Sequence, residues 1–439
     1  MIKHSFIVSP DLLLLLGLIP THMQLQSETA SFLLVLPFFF YIVLELGHSL
    51  IPYAALPENF GRTRLFFLLR LFLLLIIIAG ATILPSLTNI YTRLVTPVDA
   101  TGYSSAYANV HDGAVQMELA LAFLNDGKNP YVESYQDTPL EYYGFTGIDL
   151  PINPAVNHFV YLPGFFVLSF PIYKMFSFTS FAYDQRWVCL LAYIILILLL
   201  PSLVNSPVYK LTLLVAVGLN PLLTWPVSIG MNDIIILLAI VLALVFSSYR
   251  QFVLAAIIFG FACTLKQSAW FVAPFFVLSL YQLLPTETRI RQTIKYCGII
   301  ALLMIVIIGP FALWDFSSFI TDVWLYPSGS VAVNYPIRGY TIGNLLVGSG
   351  IIESSLDTFP FWILQLVVGL PLLWLLLRQQ WKHDGLGTML ICAGVFIFGV
   401  GVVSRFFQDN YVGFVAVLIL LGALLNADAE RLLINKESG

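Results

Sequence analysis

Long apolar runs follow one another along the chain at residues 31–53, 64–85, 161–178, 187–204, 210–226, 233–248, 252–284, 293–314, 359–377, 386–403 and 411–425. Most are close to the ~20 residues that cross a bilayer. They lack the alternation of a barrel strand, and lipid offers no partner to a free backbone amide, so each run predicts a helix. The run 252–284 is long enough to predict a hairpin with Lys266 at its tip. A shorter run at 12–20, after Lys3 and His4, resembles the core of a signal peptide. No small-residue cleavage site follows it, so a retained membrane helix or an interfacial segment is expected. The fold class expected is all-α, a polytopic transmembrane bundle of about eleven to thirteen spans.

The breaks in this pattern are more informative. Residues 86–158 form a polar, acidic, tyrosine-rich insert holding Asp99, Asp112, Glu118, Asp126, Glu133, Asp137, Glu141 and Asp149 against Arg93 and Lys128. Membrane helices need only short turns between them, so an insert of this length is expected to be functional. The chain divides into N-terminal helices (1–85), this loop with short interfacial helices (86–158), and a bundle (159–439) with a second polar loop at about 314–358.

Composition agrees with that reading: 59% of residues are hydrophobic and 10% charged, where soluble domains carry about 25% charged residues. With a net charge of −4 and no basic face, nucleic acid is excluded as a partner. Cys189, Cys263, Cys297 and Cys392 all fall in apolar runs, which implies neither a disulfide framework nor a thiolate metal site. The histidines show no ligand spacing, so no metal and no cofactor is expected.

Basic turns at Arg62 and Arg64, Arg250, Arg289 to Lys295, and Arg378 and Lys382 read as cytoplasmic. The acidic insert, residues 314–357 and the turn 405–410 then face outward together. Strict alternation fails between 161 and 226, so at least one segment there must be re-entrant or half-length. Pro201, Pro207, Pro221 and Pro226 cluster in that stretch, and broken helices are tolerated where they line a cavity.

The run HDGAVQMELALAFLNDGKNPY spans residues 111–131. Asp112, followed by Gly127-Lys128-Asn129-Pro130-Tyr131, resembles the Asp…Gly-x-x-Pro-Tyr pattern in the first outward loop of the GT-C membrane glycosyltransferases. The nearest likeness is to the polyprenol-phosphate-sugar-dependent enzymes of glycosyltransferase family 87, many of them mannosyltransferases. Tyr161-Leu162-Pro163 resembles the Tyr-x-Pro opening of their next helix, and Gly230-Met231-Asn232-Asp233 their Gly-x-x-Asp before a span. Lys266 matches a lysine that interrupts an apolar hairpin in many members. The similarity covers residues 99–282, with a fainter trace to Tyr411. Two features depart from the family: at least two spans precede the loop where many members have one, and the His111–Asp112 pair is not an Asp-x-Asp.

The resemblance implies a GT-C-like fold in the cell membrane with its active site on the extracytoplasmic side. It implies transfer of a hexose, with mannose expected, from a polyprenyl-phosphate donor to a lipid-linked or envelope glycan, with membrane lipids as surroundings. Inversion at the anomeric carbon and a single loop aspartate as general base belong to the same implication. An acceptor hydroxyl must lose its proton as it attacks, and a carboxylate at the membrane surface can take it.

Each candidate residue also has a plainer reading. Asp112 stands where a helix starts, so it caps that helix, acts as the base, or does both. Asp99 is the second candidate base or a solvated loop acid, and His111 a substrate contact or a surface neighbour. Gly127 to Tyr131 reads as a helix stop. Tyr131, Tyr135, Tyr142 and Tyr143 stack on sugar or sit at lipid headgroups, as Tyr161 could contact substrate from the next helix. Lys266 holds the donor phosphate or snorkels. Arg405 and Arg338 break the positive-inside bias, and a guanidinium suits a phosphate; the alternatives are pairing of Arg405 with Asp409 and a solvated position for Arg338. Asn232 and Asp233 start a helix or bind a hydroxyl. Trp314, Asp315, Trp324 and Tyr326 form a sugar platform or a headgroup belt, while 271–276 and 359–362 flank a prenyl groove or belong to the core.

Two other classes share this architecture. A transporter or flippase predicts repeated halves and charges near the midplane, whereas here the halves are unlike and the charges gather at one surface. A glycan polymerase or ligase places its large loop late, with arginines and a histidine, whereas this insert is early and acidic.

Overall fold

The structure, a computed structural model, describes residues 9–24, 28–50, 60–97, 107, 109–144, 150, 152–179 and 182–437. Its described residues are mostly helical, with almost no strand, as the lipid argument requires. Three helices come first: α1 (Pro10–Gln24), α2 (Glu28–Leu50) and α3 (Phe60–Ile78). The last runs through a π-helical turn at Ala79–Ile83 into α4 (Leu84–Val95). Residue 85 falls within this continuous helical run. In the π turn the Leu84 amide reaches back to the Ala79 carbonyl, so Pro85, which has no N–H, joins a ladder already shifted by one residue.

Within the polar insert lies α5 (Asp112–Asn125). It stops where the sequence predicts. Gly127 takes a left-handed φ of 73°, the Lys128 amide donates to the Phe123 carbonyl (2.9 Å) and the Gly127 amide to Leu124 (3.1 Å). These are the two bonds of a Schellman closure.

The bundle continues with α6 (Gly164–Phe176), α7 (Arg186–Leu199), α8 (Pro207–Gly218), α9 (Pro221–Ile229), α10 (Asp233–Ser248), α11 (Phe252–Leu265), α12 (Ser268–Leu283) and α13 (Arg289–Trp314). The second polar loop carries three short pieces, α14 (Phe316–Ile320), α15 (Tyr326–Ser328) and α16 (Ile342–Gly348). Then come α17 (Phe361–Lys382), α18 (Leu386–Val402) and α19 (Asp409–Glu437). A two-residue parallel pairing of Arg338–Gly339 (β1) with Phe406–Phe407 (β2) joins the second loop to the turn before α19.

Among the described residues five helices are long and apolar enough to cross a membrane, or six if α8 and α9, bent by 51°, count as one broken span, fewer than the eleven to thirteen expected because several of the apolar runs form shorter helices. Shorter apolar helices, α10, α11, α12 and α18, pack inside this set. Residues of α10 are buried nearly all round, which marks it as the centre of the bundle.

The parity problem has a structural answer in α6. Near its end, Lys174 bonds Asn125 at the end of α5, while Asp184 and Arg186, which open α7, bond Arg93 and Asn109. At its start, Gly164 packs against Thr264 beside the Lys266 turn, so both ends of α6 face the polar insert. With that segment removed from the count, the hairpin turn at Lys266 falls on the insert side. Arg250, Leu283 and Gln380 fall together at the opposite end, joined by the bonds Arg250–Leu283 and Gln282–Gln380.

Four charges, of which Asp184 and Arg186 are buried and Arg93 and Glu118 partly exposed, fix α5 against this frame. Arg93 grips Glu118 with two bonds (Nη2–Oε2 2.7 Å, Nη1–Oε1 2.9 Å) and reaches Asp184 at 3.1 Å. Arg186 grips Asp184 in turn (Nη2–Oδ2 2.7 Å, Nε–Oδ1 2.9 Å) and donates to the Asn109 and Asn89 carbonyls. Breaking a buried pair from one side strands a charge, at about 3–5 kcal/mol. Arg186→Met is accordingly expected to lower stability by about 3–5 kcal/mol, read as loss of folded protein in detergent denaturation. An unchanged midpoint would remove this network as the anchor of α5.

Candidate active site

A cavity of about 1140 Å³ lies between the two polar loops and the ends of α10, α12, α17 and α18. Asp112, His111, Tyr161, Asn232, Asp233, Lys266, Arg338 and Arg405 all line it. Of the other candidates, Asp99 lies outside the described residues.

Tyr131 is placed elsewhere. It is buried at 3% exposure, meets Phe159 and Phe319 edge-on at ring distances of 5.3 and 5.0 Å, and donates its hydroxyl to the Tyr161 carbonyl at 2.7 Å. Its part is to hold the Tyr161 backbone, because a tyrosine next to four phenylalanines gains more by packing than by facing water. Tyr135 is likewise buried and Tyr142 half-exposed; Tyr143 lines the cavity with its hydroxyl on the Tyr107 carbonyl (2.9 Å).

Asp112 occupies the first turn of α5, and the cap is the residue before it. His111 accepts the Gly113 amide on Nδ1 (3.0 Å), and its own amide donates to the Ile229 carbonyl at the end of α9 (2.7 Å). An accepting Nδ1 implies that the proton sits on Nε2. The Asp112 side chain shares this cap. Its Oδ1 accepts the Gly113 amide at 2.7 Å and its Oδ2 accepts Asn153 Nδ2 at 2.8 Å. Tyr161 stands over Gly113 so closely that a Cβ there would lie 1.9 Å from its hydroxyl. Burial, with the nearby Asp112 charge, holds the Tyr161 phenol well above its usual range, so it stays protonated and can donate.

Lys266 sits between α11 and α12 on an extended residue (φ −154°, ψ 146°), at the hairpin tip as the sequence predicts. It does not snorkel. Its Nζ donates to Asp233 Oδ1 at 2.8 Å and lies 4.6 Å from the Tyr411 ring centre. Asp233, the first residue of α10, also accepts Asn410 Nδ2 on Oδ2 at 2.6 Å. Bonded on both oxygens, one of them to a cation, Asp233 holds the lysine in place.

Arg405 departs from expectation. It pairs neither with Asp409 nor across a free fork: its Nε donates to the Tyr335 carbonyl, Nη1 to Asp357 (2.8 Å) and Nη2 to Ser355 (3.1 Å). Burial pushes its guanidinium down to about 10. Arg405 therefore ties the second loop to the turn before α19, and only its remaining N–H groups are open to an anion. The Arg338 backbone lies in the strand pairing with Phe406, and its side chain lines the cavity.

The second loop is fastened to the first. Asp322 accepts His158 Nδ1 and the Phe159 amide, both at 2.8 Å, and the His158 ring stacks on Tyr326 at 4.3 Å. In the second loop Trp324 and Tyr326 line the cavity, whereas Asp315 caps α14 through the Ser318 amide (2.8 Å). Phe271, Phe359, Trp362, Ile397 and Val400 make an apolar end, and Tyr335, Gln408 and Asn410 add neutral polar groups. Sequence reasoning missed Asn153, Gln116, Tyr335, Gln408 and Asn410. Only the positive charge at Lys266 hinted that a carboxylate and its amide would be near.

No protein-family model matches the chain, and no curated protein matches it.

The Lys266–Asp233 pair is open to a double-mutant test. Lys266→Met or Asp233→Leu alone strands a buried charge and is expected to cost about 3–5 kcal/mol, whereas the two together should recover much of that loss. Additive losses in detergent denaturation would show that the pair is not coupled.

Proposed function

We propose that the protein is a membrane glycosyltransferase that moves a hexose, with mannose expected, from a polyprenyl phosphate to a lipid-linked or envelope glycan, inverting the anomeric carbon. The observation that carries this reading is the meeting of Asp112, Lys266 and Arg338 on one cavity that also has an apolar end. An anionic amphiphile needs cations for its head and apolar walls for its tail, and a transfer to an alcohol needs a base beside them. The sequence resemblance to the GT-C enzymes points the same way. The cavity side of the bundle is taken as extracytoplasmic, since Arg250, Arg289, Arg378 and Lys382 cluster at the opposite end.

In this mechanism the acceptor oxygen attacks the anomeric carbon while its proton passes to the Asp112 carboxylate. The bond from that carbon to the phosphate oxygen breaks, and its electron pair leaves with the phosphate. Lys266, oriented by Asp233 and Asn410, and Arg338 stabilise the growing negative charge. Arg405 contributes by holding the loop of Tyr335 and Asp357 in place. Tyr161, kept neutral, donates to an oxygen of the sugar or the acceptor.

Asp112→Asn is expected to cut turnover by about 10²–10⁴-fold while leaving fold and donor binding intact. The measurement is consumption of polyprenyl-phosphate-mannose by purified protein in nanodiscs supplied with crude envelope lipid. Retained turnover would take the base role from Asp112. Lys266→Ala, besides the stability it loses by stranding Asp233, should weaken the donor affinity of the protein that remains folded by about ten- to a hundredfold for a lost bond to a charged group. Unchanged affinity would leave Lys266 with a structural role.

A further inference from the structure

Asn153 lies 41 residues from Asp112 in sequence and is fully buried. Both ends of its amide have a partner. The Ala155 amide can only donate, so Oδ1 must face it, at 3.0 Å; the same contact caps the short turn Pro154–Asn157. Nδ2 is thereby directed at Asp112 Oδ2, and a flip of the amide would put an oxygen against the carboxylate and a donor against the backbone N–H. Behind Asn153, Gln116 of α5 donates to the Ala155 and His158 carbonyls at 2.9 and 2.6 Å. The segment that holds Asn153 is therefore fastened to the helix that carries Asp112.

The two oxygens of Asp112 differ in consequence. Oδ1 accepts the Gly113 amide at 2.7 Å, and its other side is crowded by His111 Nδ1, which lies 3.1 Å away and, accepting from Gly113 itself, gives it no proton. Oδ2 has the Asn153 bond and, with two lone pairs per carboxylate oxygen, one site left. We infer that Asn153 is a positioning residue for the proposed transfer: its amide fixes the plane of the Asp112 carboxylate and leaves the second lone pair of Oδ2 to receive the acceptor proton. The inference rests on the glycosyl-transfer reading.

The test uses full-length protein in nanodiscs, with polyprenyl-phosphate-mannose as donor and crude envelope lipid as acceptor source. Asn153→Ser and Asn153→Asp both keep an oxygen for the Ala155 amide, so the turn stays capped; the first removes the bond to Asp112 and the second sets a carboxylate against it. Both are expected to fold, to keep donor KM within about twofold and to lose kcat by about tenfold or more, Asn153→Asp the more severely. In an Asp112→Asn background either change should slow the residual rate no further, because no carboxylate remains to be positioned.

Wild-type kcat in Asn153→Ser overturns the inference. So does a loss of donor affinity that accounts for the whole effect, or an equal further loss in the Asp112→Asn background. A wild-type protein that consumes no donor is a different result: it removes glycosyl transfer itself, and with it the step that Asn153 serves.

Discussion

The helix that presents Asp112 is held in place by charge. α5 lies in the polar insert, and Glu118, one and a half turns beyond Asp112, meets Arg93 from α4 while Asp184 joins Arg93 to Arg186 of α7. Two carboxylates and two guanidiniums balance. Burial alone would make each carboxyl hard to ionise. It does push Glu118 above the usual range despite Arg93, but at Asp184 the bonds and charges of Arg186 and Arg93 overcome burial and hold it below. Removing charges from water costs several kcal/mol per ion, so such a set persists only when every member is bonded. That requirement fixes how α4, α5 and α7 meet. Gly230, with φ at 93°, completes the joint, since a Cβ there would stand 2.8 Å from Arg186 Cγ and 2.9 Å from Ala114 Cβ.

The same rule shapes the cavity. Its lysine is already paired with Asp233, its deepest arginine is bonded to three carbonyls, and Asp112 is bonded by Asn153 and Gly113. A site built this way has its dipoles aligned before a ligand enters, so little reorganisation is needed at the moment charge moves. It also divides labour among like residues. Asp233 is paired with the charge of the lysine, whereas Asp112 is bonded only by the neutral N–H groups of Gly113 and Asn153.

Local signals were readable in the sequence, and distant ones were not. The start of α5 at Asp112, its stop at Gly127, the start of α10 at Asp233 and the hairpin tip at Lys266 each depend on a few neighbouring residues, and each stands where the pattern put it. The partners of these residues come from far along the chain, as with Asn410 on Asp233, 177 residues away. An asparagine has no periodic signature that would announce such a contact. The backbone partners of Arg405 were hidden for a related reason. A guanidinium on the polar side suggests an anion, but three backbone carbonyls from 335, 355 and 357 satisfy its fork equally well. Tyr131 was ambiguous because tyrosine suits both an interface and a core, and the phenylalanines that decide the matter come from α6, α13 and α14.

The N-terminal helices have a physical part in the site. Where α8 gives way to α9, the bend leaves carbonyls without helical partners, in surroundings with little polar company. Tyr193 of α7 donates to the Gly218 carbonyl at 2.5 Å, and His22, from the last turn of α1, lies 3.0 Å from the Leu219 carbonyl through Nε2. A bend capped in this way can be kept at a fixed angle. From it α9 runs to Ile229, whose carbonyl accepts the His111 amide at 2.7 Å, one residue before Asp112. α1 therefore supports the end of the broken helix against which the candidate base is set, and this helix at the start of the chain stabilises a bend that a bundle without it would have to satisfy by other donors.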